Sequence, residues 1–110
     1  MVWEQRDRIA DPLAQMSNPY QVIGDVELFL QPGGWYYIAV PRWISDELSH
    51  LADRGLIPVK ATVGSTSWDT SLLPKGDGSH FIALNAMVRK TNRIDVGDRI
   101  TVTFQTRHRN

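Results

Sequence analysis

Side chains that commonly carry catalysis are present in the sequence, but their spacing forms no recognisable catalytic or metal-binding motif. The three histidines, His50, His80 and His108, fall on a predicted helix, a predicted strand and the tail, without the spacing of metal ligands. Ser67 and Asp69 share one face of a predicted strand, but a catalytic triad also needs a positioned base. The absence of cysteine excludes thiol chemistry and disulfides. These observations favour a protein without enzymatic activity and predict no metal or other cofactor.

Aromatic and hydroxyl-bearing residues give a more specific signal. In the stretch GSTSWDTSLLPKGDG, Gly64–Gly78, a single tryptophan lies among serine and threonine side chains. Aromatic walls with a few convergent polar groups are typical of small-ligand pockets. The alternative is that Trp68 fills the core, as large aromatic side chains usually do in small domains. On the first interpretation, the sequence predicts a ligand-binding site that consists of Tyr36, Lys60, Trp68, Thr70 and Arg89.

The distribution of charge bears on the class of ligand. The formal net charge is zero, but residues 60–110 hold eight basic and four acidic residues, and residues 1–59 hold the reverse. Lys60 and Arg89 near aromatic rings favour a small polar or anionic ligand, or a peptide, over a purely apolar one. The basic C-terminal half leaves nucleic-acid binding as an alternative, and a partner-protein interaction domain as a third interpretation. Whether the protein is a monomer or a homodimer stays open.

Length and composition indicate one domain. A chain of 110 residues with 42% hydrophobic residues can bury a core that needs no disulfide bond or structural metal ion. We predict an N-terminal extension over residues 1–19, a domain over residues 20–106 and a basic tail over residues 107–110. The polar N-terminus is unlike a signal peptide, and no apolar run has the length of a membrane span. A cytoplasmic location without membrane contact is therefore expected.

Alternation of apolar and polar residues predicts a mainly β fold. Ser45 has the residue type of a helix cap, and Ile44, Leu48, Leu51 and Ala52 form one helical stripe behind it. Asn85 can cap a short second helix. The predicted strands are 20–31, 35–40, 59–63, 65–73, 80–84 and 100–104, and the predicted helices are 45–54 and 86–91. Six strands with regular turn signals favour a small closed or nearly closed six-stranded barrel.

Four sequence blocks carry a resemblance to a known family. They are GGWYYIAVP at Gly33–Pro41, IPVKATVGSTSWDTSLLPKGDG at Ile57–Gly78, FIALNAMVRK at Phe81–Lys90 and IDVGDRITVTF at Ile94–Phe104. Together they resemble the bacterial domain-of-unknown-function family nineteen-oh-five, which sometimes occurs beside a bacteriocin-protection, OmpD-associated domain. The resemblance covers about residues 20–106. It implies a small β-barrel similar in shape to the double-split barrel of AbrB-like regulators, and it assigns no catalytic residue.

Overall fold

The computed structural model of the chain describes residues 19–30 and 34–107. Within these ranges the fold is mainly β, with a seven-stranded antiparallel sheet, two short helices and one 3-10 turn. Most of the predicted extension and tail lies outside the described residues, as do residues 31–33 of the turn that the sequence Gln31-Pro32-Gly33-Gly34 predicts. The strands are β1 Tyr20–Asp25, β2 Glu27–Leu28, β3 Tyr36–Val40, β4 Ile57–Val63, β5 Thr66–Pro74, β6 His80–Ala83 and β7 Arg99–Thr106.

The sheet curls into a nearly closed barrel, as predicted, but with seven strands and not six. Its order is β1-β7-β4-β5-β6-β3-β2, so the two end strands are consecutive in the chain. Val26 separates them, because its backbone N–H donates to Asp98 O at 2.8 Å and its carbonyl accepts from Gly97 N at 2.9 Å. These bonds to the 95–98 turn divide the predicted first strand into β1, which pairs with β7, and β2, which pairs with β3.

Strands β4 and β5 form a hairpin, and the predicted alternation of inward and outward side chains along it is confirmed. Register pairs Ala61 with Trp68 and Val59 with Thr70, so these four side chains share the inner face of β4 and β5. Ser67 and Asp69 are exposed on the outer face, where the Ser67 hydroxyl lies 2.7 Å from that of Thr62. The inner face contributes to two packed clusters of buried residues, and the ring of Trp68 contacts both. Trp68 is therefore half-buried between the two parts of the core.

The first helix begins earlier than predicted. Helix α1 spans Arg42–Leu48, and a 3-10 turn at Ser49–Leu51 follows it. The N–H groups of Ile44 and Ser45 donate to the carbonyl of Pro41, at 3.0 and 3.3 Å, so the chain enters the helix directly after this proline. The predicted capping role of Ser45 is wrong, because its side chain is buried inside the helix. The predicted apolar stripe does face the core.

The second helix agrees with its predicted cap. Helix α2 spans Ala86–Asn92, and the side chain of Asn85 accepts a hydrogen bond from the N–H of Val88 at 2.9 Å. Val88 is fully buried, which fixes the helix against the barrel. At the far end, the Asn92 amide donates to Val88 O at 2.9 Å and to the Thr66 hydroxyl at 3.1 Å. Both ends of α2 are therefore held, and its exposed face has a defined position beside β5.

Candidate ligand-binding cleft

A cleft of about 440 Å³ opens where β3, β5 and the β6–α2 connection meet. This volume lies within the roughly 300–1,000 Å³ that is typical of small-molecule sites. Leu73 and Leu84 contribute apolar surface, and Thr70 and Asn85 contribute polar groups. The other lining residues are Gly34, Trp35, Tyr36, Ala83 and Arg89. The cleft thus combines an apolar and aromatic wall with a few polar side chains and one cation.

Arg89 is held in place by two contacts. Its Nε donates to the carbonyl oxygen of Leu84 at 3.1 Å. Its guanidinium carbon lies 3.9 Å from the centroid of the Tyr36 ring, which is a cation–π distance. Among the described residues, no acidic side chain pairs with Arg89, and its two terminal nitrogens have no hydrogen-bond acceptor. A positioned guanidinium with free donors is well suited to bind a carboxylate or phosphate.

Trp35 supplies an accessible aromatic surface at the cleft. Its side chain is 49% exposed, and its ring meets Phe81 edge-on with a centroid distance of 6.3 Å. Phe81 is buried and also contacts Tyr37 edge-on, at 5.3 Å. Trp35 is therefore supported by a packed aromatic group but keeps about half of its surface for contact with a ligand. A tryptophan that is anchored in this way can accept a flat or apolar ligand at low entropic cost.

The structure brings together three of the five residues that the sequence predicts for a site. Tyr36, Thr70 and Arg89 all line the cleft. Trp68 does not line it, because the ring packs between the two core clusters. Lys60 is exposed on the outer face of β4, where its register partners are Asp69 and Gln105, and so it lies away from the cleft.

Two lining residues with side chains suited to ligand contact, Asn85 and Trp35, were not predicted as site residues. Asn85 carries a clear capping signal in the sequence, and that role accounts for its side-chain oxygen. The sequence signal that could have identified Asn85 as a site residue is its spacing from Arg89. A residue four positions after a helix cap lies on the same side of the helix, so Arg89 lies beside Asn85. Trp35 belongs to the aromatic run that precedes β3, but one strand alone does not show which ring reaches a cleft.

The candidate catalytic groups are not assembled into one site. Ser67 and Asp69 are exposed on the outer face of β5, while His80 is 6% exposed and its Nε2 lies 3.2 Å from Gly55 O. The Nδ1 of His80 and the hydroxyl of Ser45 are buried and have no hydrogen-bond partner among the described residues. Within residues 19–30 and 34–107, no group of three histidine, aspartate or glutamate side chains could hold a metal ion.

The fold and the cleft define a small, nearly closed β-barrel that carries an aromatic cleft with one fixed arginine. The sequence matches a family model, Domain of unknown function (DUF1905), over residues 24–104, and the chain belongs to this family. The predicted resemblance is therefore confirmed. No curated protein matches the sequence. In the part of the chain that the structure describes, no helix is both long and apolar enough to cross a membrane.

Proposed function

We propose that the protein is a binding module for a small ligand that carries an anionic group on a flat or apolar body. The observation that supports this proposal most strongly is the position of Arg89. Its guanidinium is stacked on Tyr36 and bonded to Leu84 O, no described residue accepts a hydrogen bond from its terminal nitrogens, and the residue lines a cleft together with Trp35 and Thr70. The anion would bind the guanidinium, and the body of the ligand would contact Trp35 and the apolar wall.

The surroundings of Arg89 favour an anion over a neutral ligand. A guanidinium beside apolar side chains is less screened than one in open water, so a charge-assisted hydrogen bond is stronger there. The side chain is already oriented, so binding costs little additional rotamer entropy. A small molecule suits the volume of the cleft. An extended peptide that presents a carboxylate is a larger ligand with the same chemistry.

Nucleic-acid binding through the whole basic half has less support. Arg99 lies 3.1 Å from Asp25, and Arg107 lies 3.8 Å from Asp69. Arg107 also donates to the carbonyls of Val59 and Thr70. Arg99 and Arg107 therefore both lie beside acidic side chains, and neither presents an unpaired cation to a phosphate. The partner-protein interpretation and the cytoplasmic location both stay predictions.

Replacing Arg89 tests the proposal. The probe is benzoate, with benzyl alcohol as its uncharged counterpart, and binding is followed by chemical shifts in ¹H–¹⁵N NMR spectra. We expect Arg89→Gln to weaken benzoate binding by about tenfold or more, because a hydrogen bond to a charged group is lost. Arg89→Lys keeps the positive charge but removes the planar guanidinium group, so we expect an intermediate affinity for benzoate. Benzyl alcohol should bind weakly to all three proteins.

Lys60→Ala is the matched control. It removes one positive charge from the same barrel, but on the outer face of β4. We expect it to change benzoate affinity by less than about twofold, because an exposed charge that does not line the cleft is screened by water and salt. Equal loss of affinity in the Lys60 and Arg89 variants would contradict a specific site at Arg89, as would benzoate binding that Arg89→Gln leaves unchanged in a folded protein.

A further inference from the structure

A second hollow adjoins the cleft, and the two share Arg89. The second hollow has a volume of about 520 Å³ and is lined by Ala86, Arg89, Lys90, Arg93, Ile94 and Asp95. We propose that the ligand is an aromatic phosphate, with its ring in the cleft beside Trp35 and its phosphate in this second hollow. This inference rests on the proposed function, because it gives a chemical class to the ligand of the same cleft.

The sequence of α2 produces the basic hollow. Ala86, Arg89 and Lys90 are spaced at i, i+3 and i+4, so they share one face of the helix. Arg93 follows the helix as its C-cap residue, in the left-handed conformation, and lines the same hollow. The opposite face carries Val88, which is buried in the core. The small side chain of Ala86 leaves space at one end of the basic face. A group that enters the hollow meets Arg89, Lys90 and Arg93, which all line it.

The second hollow is lined by three basic residues and one acidic residue. Within the part of the chain that the structure describes, no salt bridge joins Arg89, Lys90 or Arg93 to an acidic group. Asp95 is the acidic residue in the lining, and its Oδ1 accepts a hydrogen bond from Val96 N at 2.8 Å. The excess of positive charge suits a dianion such as a phosphate monoester better than a carboxylate.

The size of the basic face favours a small molecule over a strand of nucleic acid. A seven-residue helix is about 10 Å long, which is enough for one or two phosphate groups. Arg99 begins β7 and Arg107 follows it. Neither adds an unpaired cation to the basic face, because Arg99 pairs with Asp25 and Arg107 pairs with Asp69. A ring, a linker and one or two phosphates, as in a nucleoside monophosphate or diphosphate, would span both hollows.

The test compares probes that carry the ring, the phosphate or both. Adenosine, inorganic phosphate and adenosine monophosphate are titrated into the wild-type protein and into Lys90→Ala/Arg93→Ala, with NMR detection. We expect the monophosphate to bind about tenfold or more tightly than either fragment, because it contacts both hollows. The double variant should lose about tenfold in affinity for the monophosphate, since charge-assisted contacts to phosphate are removed. Benzoate affinity should be unchanged in this variant.

Arg54→Ala/Lys60→Ala is the matched control, because it removes the same charge from two exposed residues that line neither hollow, and it should bind the monophosphate like the wild type. Cations near the C-terminal end of a helix also stabilise the helix, so thermal unfolding verifies that both double variants are folded. Should Lys90→Ala/Arg93→Ala fail to fold, Lys90→Gln and Arg93→Gln are measured singly, and each is expected to weaken monophosphate binding.

Three outcomes would overturn the inference, and they are distinguishable. If benzoate binding depends on Arg89 but the monophosphate binds no better than adenosine, the proposal of an aromatic phosphate ligand is wrong, while the proposed function stands. If neither benzoate nor any phosphate probe binds, both proposals are wrong. If a single-stranded decanucleotide binds about tenfold more tightly than the monophosphate, with a steep dependence on salt, the partner is a nucleic acid and not a small molecule.

Discussion

The side chain of Trp68 lies on the inner face of the sheet, because successive side chains of β5 alternate between the two faces. Across the hairpin it faces Ala61, whose small side chain leaves room for the indole ring, and the ring contacts both core clusters. The hydroxyl of Ser67 lies on the other face and is within 2.7 Å of the Thr62 hydroxyl. Ser67 and Asp69, which flank Trp68 in the sequence, therefore belong to the exposed face of the strand, and the tryptophan itself has the position of a core residue.

Truncation of Trp68 should consequently affect folding more than binding. We expect Trp68→Ala to lower the free energy of unfolding by about 3 kcal/mol, near the lower end for large aromatic deletions because the ring is only half-buried. Trp43 is 60% exposed on α1, so Trp43→Ala is the matched control and should cost less than about 1 kcal/mol. Chemical denaturation measures both. Equal costs would contradict a core role for Trp68.

At the scale of elements, Tyr20 of β1 contacts both α1 and β7. Tyr20 of β1 stacks on Phe104 of β7 at 5.4 Å and contacts the ring of Trp43 at 6.3 Å. Its hydroxyl donates a hydrogen bond to the carboxylate of Glu47. This bond, together with burial and the negative charge of Glu47, raises the pKa of Tyr20 from 10.0 to about 12.

This raised pKa makes the contact sensitive to alkaline pH. The fold favours the neutral phenol, so the stabilisation is complete below pH 10 and is lost as the pH rises through about 12. We expect Tyr20→Phe to be less stable than the wild type at pH 8, and the difference between them to shrink as the pH rises from 10 to 12. Thermal unfolding across this range measures it. A difference that stays constant with pH would contradict the contact.

Local sequence patterns predicted some elements correctly, because the tertiary contacts of these elements agree with the local preference. The alternation of β4 and β5 is retained, and Asn85 caps α2 as its residue type and position indicate. The start of α1 could not be predicted from Ser45, because burial against the core outweighs its capping preference. The break at Val26 was equally hidden, since it depends on bonds to the 95–98 turn, about 70 residues later in the chain.

At the scale of the whole molecule, the nearly closed barrel follows from regular strands and turns, but the cleft depends on register. Tyr36, Thr70 and Arg89 come from three distant segments, and the sequence alone does not state which faces of these segments meet. Lys60 illustrates the limit. Its alternation with Val59 and Ala61 shows that it lies opposite to them, but only the pairing with β5 shows that Trp68 is on the inner face with Ala61.

The most direct measurement of the central claim is a map of where benzoate binds on the wild-type protein. In ¹H–¹⁵N spectra, we expect the indole N–H of Trp35, the side-chain amide of Asn85 and the Nε–H of Arg89 to shift together with one saturating curve. The indole signals of Trp43 and Trp68 should change little, because neither ring lines the cleft. Shifts centred on Lys60 or Trp68, or shifts across the surface that do not saturate, would contradict a binding site at Arg89.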